Sequence, residues 1–142
     1  MILKHIIQEI EKFAPISYQE SYDNCGLLTG NTELEVTGAI LCLDCTEAVV
    51  EEAINKKCNL IIAHHPIIFS GLKKINGKNY IERTIIKAIK NDIAIYAIHT
   101  NLNNVTNRVN FKIAQQIGLE KVQILSPKKQ LLKKLIVFIP ID

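Results

Sequence analysis

Leu60-Ile-Ile-Ala-His-His-Pro-Ile-Ile-Phe69 opens on four uninterrupted apolar residues, then sets two adjacent imidazoles just before Pro66 turns the chain. A short continuous apolar run predicts a strand covered on both faces, the habit of a parallel sheet. The strand is read as Asn59 to Ala63, with the histidines following its end. Two adjacent histidines cannot both enter one core. Each can hold one ion of a metal pair, because neutral imidazole is the commonest metal ligand. The competing reading is one solvated His and one that caps the strand through a hydrogen bond, and for an isolated His-His dipeptide that reading is the commoner.

The flanking sequence places this strand in a repeating pattern. Before it, Val36 to Cys45 reads as a buried strand. Thr46 then reads as a helix N-cap, with Glu47 in the first turn where negative charge suits the helix dipole. That helix runs to about Lys57 and turns Val49, Val50, Ala53 and Ile54 inward. After it come a polar loop from Gly71 to Lys78, a helix from Tyr80 to Lys90, and a strand from Ile93 to Ile98. The polar segment His99 to Asn104 follows, then a helix from Asn107 to Ile117 stopped by Gly118. At the N-terminus, Ile2, Ile6, Ile7, Ile10 and Phe13 have helical spacing, and Pro15 ends the helix. Tyr22-Asp-Asn-Cys-Gly-Leu-Leu-Thr-Gly30 reads as a loop leading into a short strand.

Strands alternating with helices predict an α/β fold, a sheet with helices on both faces. In such sheets ligands gather at the carboxyl ends of the strands. Asp44, His64-His65 and the segment from His99 to Asn103 all follow predicted strand ends, so three polar clusters converge on one edge. His99 is either an acid/base or substrate-binding group, or a strand-terminating His bonded to backbone. Asp44 is either a site carboxylate or the end of a strand ahead of a helix cap.

Bulk properties narrow the classes. At 142 residues the chain has the length of one domain. A net charge of +3 is too small to argue for a nucleic-acid partner. No apolar run approaches the roughly 18 residues of a membrane span, and polar residues interrupt the N-terminus too early for a signal peptide. The four cysteines then read as reduced thiols of a cytoplasmic protein. Cys42-Leu-Asp-Cys45 has C-x-x-C spacing, but no second pair accompanies it, and two buried free thiols are the better reading. Residues 126–134 read as a Lys-rich linker and Leu135 to Ile139 as a strand. The expected organisation is a metal-binding lobe over 1–125, followed over 126–142 by a linker and the first strand of a missing or inserted region.

Three segments together resemble one family. They are Tyr22-Asp-Asn-Cys-Gly-Leu-Leu-Thr-Gly30, Ile62-Ala-His-His-Pro-Ile-Ile-Phe69 and Ile98-His-Thr-Asn-Leu-Asn103. In order and rough spacing they are similar to the signatures of the dinuclear-metal-centre hexameric proteins, the GTP cyclohydrolase I type 2 homologues (NGG-one-interacting-factor-three-like proteins). The resemblance covers the N-terminal lobe of that two-lobed fold. It implies a mixed sheet with helices on both faces (three layers, α-β-α) and a homo-oligomer, a toroidal hexamer with inward-facing sites.

The resemblance also implies two divalent metal ions per complete site, with His64 and His65 as ligands and position 103 as a bridging carboxylate. Here that position is Asn103, and an amide bridges two cations poorly. Family members draw a further His and Glu from a C-terminal lobe, whereas no His follows His99 here. Imidazole with oxygen donors suits Zn, Mn, Fe, Co or Ni. The implied activity is metal-dependent hydrolysis of a nucleotide ring or a phosphate ester, with His99 shuttling a proton. The chain is accordingly expected to be a truncated or degenerate member. The alternative is a non-catalytic scaffold that has lost its metal chemistry.

Overall fold

The computed structural model describes residues 1–105 and 109–124. The linker and terminal strand expected over 126–142 lie outside the described residues. Among those described, four strands form one sheet: β1 (Gly26–Thr29), β2 (Ala39–Asp44), β3 (Leu60–His65) and β4 (Ala94–Ala97). Their spatial order is β1-β4-β3-β2. β2, β3 and β4 run parallel, and β1 pairs antiparallel with β4, so the sheet is mixed.

Two helices make the crossovers between the parallel strands. α2 (Glu47–Asn55) links β2 to β3, and α3 (Tyr80–Lys90) links β3 to β4. The Thr46 hydroxyl accepts from the Val49 N–H, as an N-cap should, at 3.3 Å. α3 starts with a side-chain N-cap: Asn79 Oδ1 accepts from the Glu82 N–H at 2.9 Å, and the Glu82 carboxylate accepts from the Asn79 side-chain amide at 2.9 Å. Ion pairs Arg83–Glu47 and Lys87–Glu51 join the two helices at their solvent side. Exposed pairs of this kind contribute little, and the packing beneath them carries the stability.

Alternation along the strands sorts the core into two layers. Ile61 and Ala63 of β3 and Ile95 of β4 pack with Val50, Ala53, Ile85 and Ala88 of α2 and α3. Leu60, Ala94 and Tyr96 pack on the opposite face against Leu3, Ile6, Ile7 and Ile10 of α1 (Leu3–Phe13). Helices therefore cover both faces, as the sequence pattern predicts. Burying each of the large aliphatic side chains contributes about 1.5–3 kcal/mol.

Three elements differ from expectation. The strand read as buried over Val36 to Cys45 runs over Ala39–Asp44 and forms the sheet edge, with Leu41 and Leu43 in solvent. β3 does not stop at Ala63 but continues through both histidines, with His65 in register with Asp44 of β2. The parallel ladder holds the backbone extended until Pro66, which has no N–H to donate. The polar segment after β4 is not a simple loop: residues Thr100–Asn103 form one helical turn, α4. α5 (Val109–Gln116) follows, and Gly118, at φ +75°, takes the left-handed conformation that ends it. No helix among the described residues is long and apolar enough to cross a membrane.

Candidate metal centre

Parallel pairing explains why the polar clusters meet. β2, β3 and β4 end on the same edge, carrying Asp44, His64-His65 and the Ile98–His99 segment to it. β1 runs the other way and pairs Gly26 with Ala97. Its entry loop, residues 22–25, therefore arrives at the edge where β4 leaves.

Three imidazoles converge there. Ring centroids of His64 and His65 lie 4.9 Å apart, and His99 lies 5.2 Å from the first and 5.5 Å from the second. One ring nitrogen from each residue lies within 4.8 Å of those of the other two. Each Nδ1 is engaged by a neighbouring oxygen. His64 Nδ1 donates to the Ile98 carbonyl at 2.9 Å. A carbonyl oxygen only accepts, so the proton of neutral His64 sits on Nδ1 and its Nε2 keeps a lone pair. His65 Nδ1 lies 2.9 Å from Asp44 Oδ1. His99 Nδ1 lies 3.0 Å from Asp23 Oδ1. This is the arrangement that metal-binding histidines adopt, one nitrogen anchored and the other left for the ion.

Burial pushes the pKa of His64 down from the ordinary imidazole value; the Ile98 bond opposes this, and the two neighbouring imidazoles reinforce it. Neutral imidazole is the metal-binding form. Burial alone would push the Asp23 carboxyl up. Hydrogen bonds from Cys25, His99 and Thr100 outweigh that and hold it well below the usual carboxylate range. The Asp23 side chain is 0% exposed, while that of His99 is 20% exposed.

The donor set fits one divalent ion: three imidazoles backed by two carboxylates. Two ions need more, because among the described residues no further His, Cys, Asp or Glu joins the group. Asn103 stands at the end of α4, one turn after His99, and its N–H donates to the His99 carbonyl at 3.1 Å. It lines a separate cavity of about 280 Å³ with Asn110, Phe111 and Val122. A larger cleft of about 570 Å³ opens beside the histidines, lined by Asp44, Thr46, His65, Phe69, Tyr80 and His99 among others.

The other amides of that segment are structural. Fully buried Asn101 donates to the Ala14 carbonyl at 2.8 Å and accepts from the His99 N–H at 2.9 Å. Asn104 donates to the Tyr18 carbonyl at 2.9 Å. Of the C-x-x-C pair, Cys45 is buried, its thiol pushed up to about 12 by that burial, and both thiols are free. A thiol held so high stays protonated and is a poor ligand or nucleophile.

Two carboxylates of the site take positions that local sequence does not fix. Asp44, readable as a site carboxylate or as a strand end, sits beside His65. Asp23 lies in the Tyr22 to Gly30 segment that carries the family resemblance, with no chemical role assigned to it there, and the antiparallel course of β1 brings it to His99.

Known proteins share this architecture. A GTP cyclohydrolase 1 type 2 homolog of Clostridium acetobutylicum is 41% identical over 132 residues, covering 93% of this chain and 49% of that protein. A Staphylococcus epidermidis protein of the same name is 41% identical over 140 residues, 99% of this chain and 38% of its own length. Among solved structures, a Bacillus cereus protein related to NIF3 superposes with a TM-score of 0.81 at 40% identity, over 90% of this chain and 35% of that one. HcgD of Methanocaldococcus jannaschii gives a TM-score of 0.78 at 31% identity, over 85% of this chain and 48% of that one. The chain thus spans about half the length, or less, of the relatives it matches. Residues 1–138 match the family profile described as Duf34/NIF3 (NGG1p interacting factor 3), and the chain belongs to that family.

Proposed function

We propose that this chain is the metal-binding lobe of a hydrolase-type protein related to the GTP cyclohydrolase 1 type 2 homologs. The observation that carries the reading is the convergence of three histidine nitrogens within 4.8 Å, with the Nδ1 of each ring beside a carbonyl or a carboxylate. His64 and His65 would hold the metal, and His99 stands where it can ligate the same ion or exchange a proton with substrate. A bound divalent ion supplies an activated water and polarises the group under attack. In a complete site two ions are expected, the second needing ligands from outside the described residues; Asn103 occupies the bridging position that the family resemblance implies.

The cleft favours a planar ring over a phosphate ester as substrate. Phe69 and Tyr80 line it, both exposed and available for stacking. Among the described residues, no Lys or Arg lines it to neutralise a phosphate. The cleft walls would orient the ring, and the His99 imidazole, backed by a carboxylate, would accept or return a proton at its Nε2.

We further propose that the chain associates with copies of itself. Leu41 and Leu43 on edge strand β2 are 76% and 66% exposed, an apolar stripe that α1 does not reach.

A second reading, a scaffold without catalysis, is favoured by Asn103 at the bridging position. Metal content per chain separates the two. Purified protein incubated with zinc or manganese is expected to retain at least one ion per chain, and the His64→Ala/His65→Ala double variant none. Asn103→Asp is expected to raise occupancy further and to bring nucleotide hydrolysis above background. No retained metal in either the wild type or Asn103→Asp would leave the scaffold reading standing.

A further inference from the structure

The loop Tyr22-Asp-Asn-Cys-Gly26 lies at the site yet is not used by the reading above, on which the present inference rests and which it deepens. Asn24 Nδ2 donates to the Ile68 carbonyl at 2.6 Å, tying the loop to the segment just after the histidine pair. Asp23 turns the other way. Its Oδ1 faces His99 Nδ1 at 3.0 Å and accepts from the Asn24 N–H at 2.8 Å. Its Oδ2 accepts from the Thr100 N–H at 3.0 Å, from the Thr100 hydroxyl, and from Cys25 Sγ at 3.0 Å. The Thr100 hydroxyl in turn accepts from the Glu20 N–H at 2.9 Å, so it has its own reason to give its proton to Asp23.

We propose that Asp23 is the positioning residue of this centre: its carboxylate holds neutral His99 in the Nδ1–H tautomer and thereby presents the Nε2 lone pair to the His64–His65 pair. The argument is a count of donors and acceptors. Every other contact of this carboxylate is a donor, and two of them are backbone N–H groups that cannot change role. An acceptor-only group surrounded by fixed donors can receive a hydrogen bond from His99 but never give one. The hydrogen bond made by one ring nitrogen sets which nitrogen carries the proton. The Nε2 lone pair of His99 then faces the His64–His65 pair, to ligate a divalent ion held there or to take a proton from a group bound to it.

Asp23→Asn tests this sharply, because an amide has one accepting oxygen and one donating nitrogen. Each oxygen of the carboxylate meets one fixed backbone N–H, but the Thr100 side adds a hydroxyl and a thiol donor, so the amide oxygen belongs there. The amide nitrogen then faces His99 as a donor and drives the ring to the Nε2–H form, the wrong-tautomer effect known for Asp–His pairs.

The first experiment uses metal-free, ¹⁵N-labelled wild-type chain with its imidazoles neutral. Long-range ¹H–¹⁵N correlations read the tautomer of each ring, and the His99 signals are assigned by their loss in His99→Gln. The proton of His99 is expected on Nδ1; finding it on Nε2 overturns the proposal without any variant of Asp23. In Asp23→Asn, shown folded by circular dichroism, the proton is expected to move to Nε2. Zinc affinity, measured by competition with a chromophoric chelator, is expected to fall 10–100-fold. An unchanged tautomer in folded Asp23→Asn overturns the proposal as well. If the wild type binds no zinc at all, the metal reading fails, and the wild-type tautomer still decides the role of Asp23.

Discussion

Gly30, where β1 ends, shows how closely the residue scale is constrained. Its φ is +114°, and an added Cβ would lie 2.6 Å from the Ala94 Cβ and 2.9 Å from the Ala94 Cα. Neither a left-handed backbone nor a contact with main chain can be relieved by a rotamer change. Gly30→Ala is therefore expected to cost more than about 1 kcal/mol, read as a lowered urea midpoint with an unchanged slope. Sequence marks Gly30 as a turn residue; the close approach of Ala94, 64 positions away, is visible only in the fold. The site histidines divide in the same way. His64 and His65 are conspicuous in the sequence because two adjacent imidazoles after an apolar run have few structural uses. The groups that face the Nδ1 atoms of His64, His65 and His99 are a carbonyl and two carboxylates, and no local pattern pairs them with those rings.

At the scale of elements, caps and periodicity made most helices and strands legible. α3 spans Tyr80–Lys90 as its Ile spacing predicts, and Thr46 caps α2 as expected. The Asn79 cap of α3 has a local signature as well, an Asn three residues ahead of a Glu at the start of an apolar-periodic run. Asn79→Ala is expected to cost about 1 kcal/mol. Glu82 carries a pH dependence. The hydrogen bond from the Lys78 N–H outweighs burial, and with those from Asn76, Gly77 and Asn79 it holds the carboxyl below its ordinary value. A folded-state pKa below the unfolded one means that this contribution is complete above the unfolded value, near 4.3, and is lost as pH falls through the lower folded value. Urea midpoints of wild type and Glu82→Gln are thus expected to differ at neutral pH and to converge in acid. A gap that persists unchanged into acid would assign the effect to shape rather than to charge. The single turn α4 was missed for a physical reason: four residues are too few for helical periodicity, and the buried amide of Asn101 together with Thr100 holds the turn from outside.

On the scale of the molecule, the two-sided core and the uncovered edge decide behaviour. α1 shields β3 and β4 but leaves Leu41 and Leu43 of β2 in solvent. Leu41→Lys/Leu43→Lys is expected to shift the chain toward monomer in sedimentation velocity, with zinc affinity unchanged because neither side chain belongs to the histidine cluster. Equal masses for wild type and variant would exclude this stripe from any self-association. The order of elements, the covering of both sheet faces, the histidine pair at a strand end and the family signatures were all determined by the sequence alone. They depend on apolar periodicity, capping and turn chemistry, which act over a few residues. What only the tertiary structure decided is the set of acceptors behind the histidines. Asp44 reaches His65 across 21 positions through the β2–β3 register, and Asp23 reaches His99 across 76 because β1 runs against its neighbour. Strand direction and register are settled by long-range pairing, so the groups that orient the metal-binding nitrogens come into view only when the sheet is assembled.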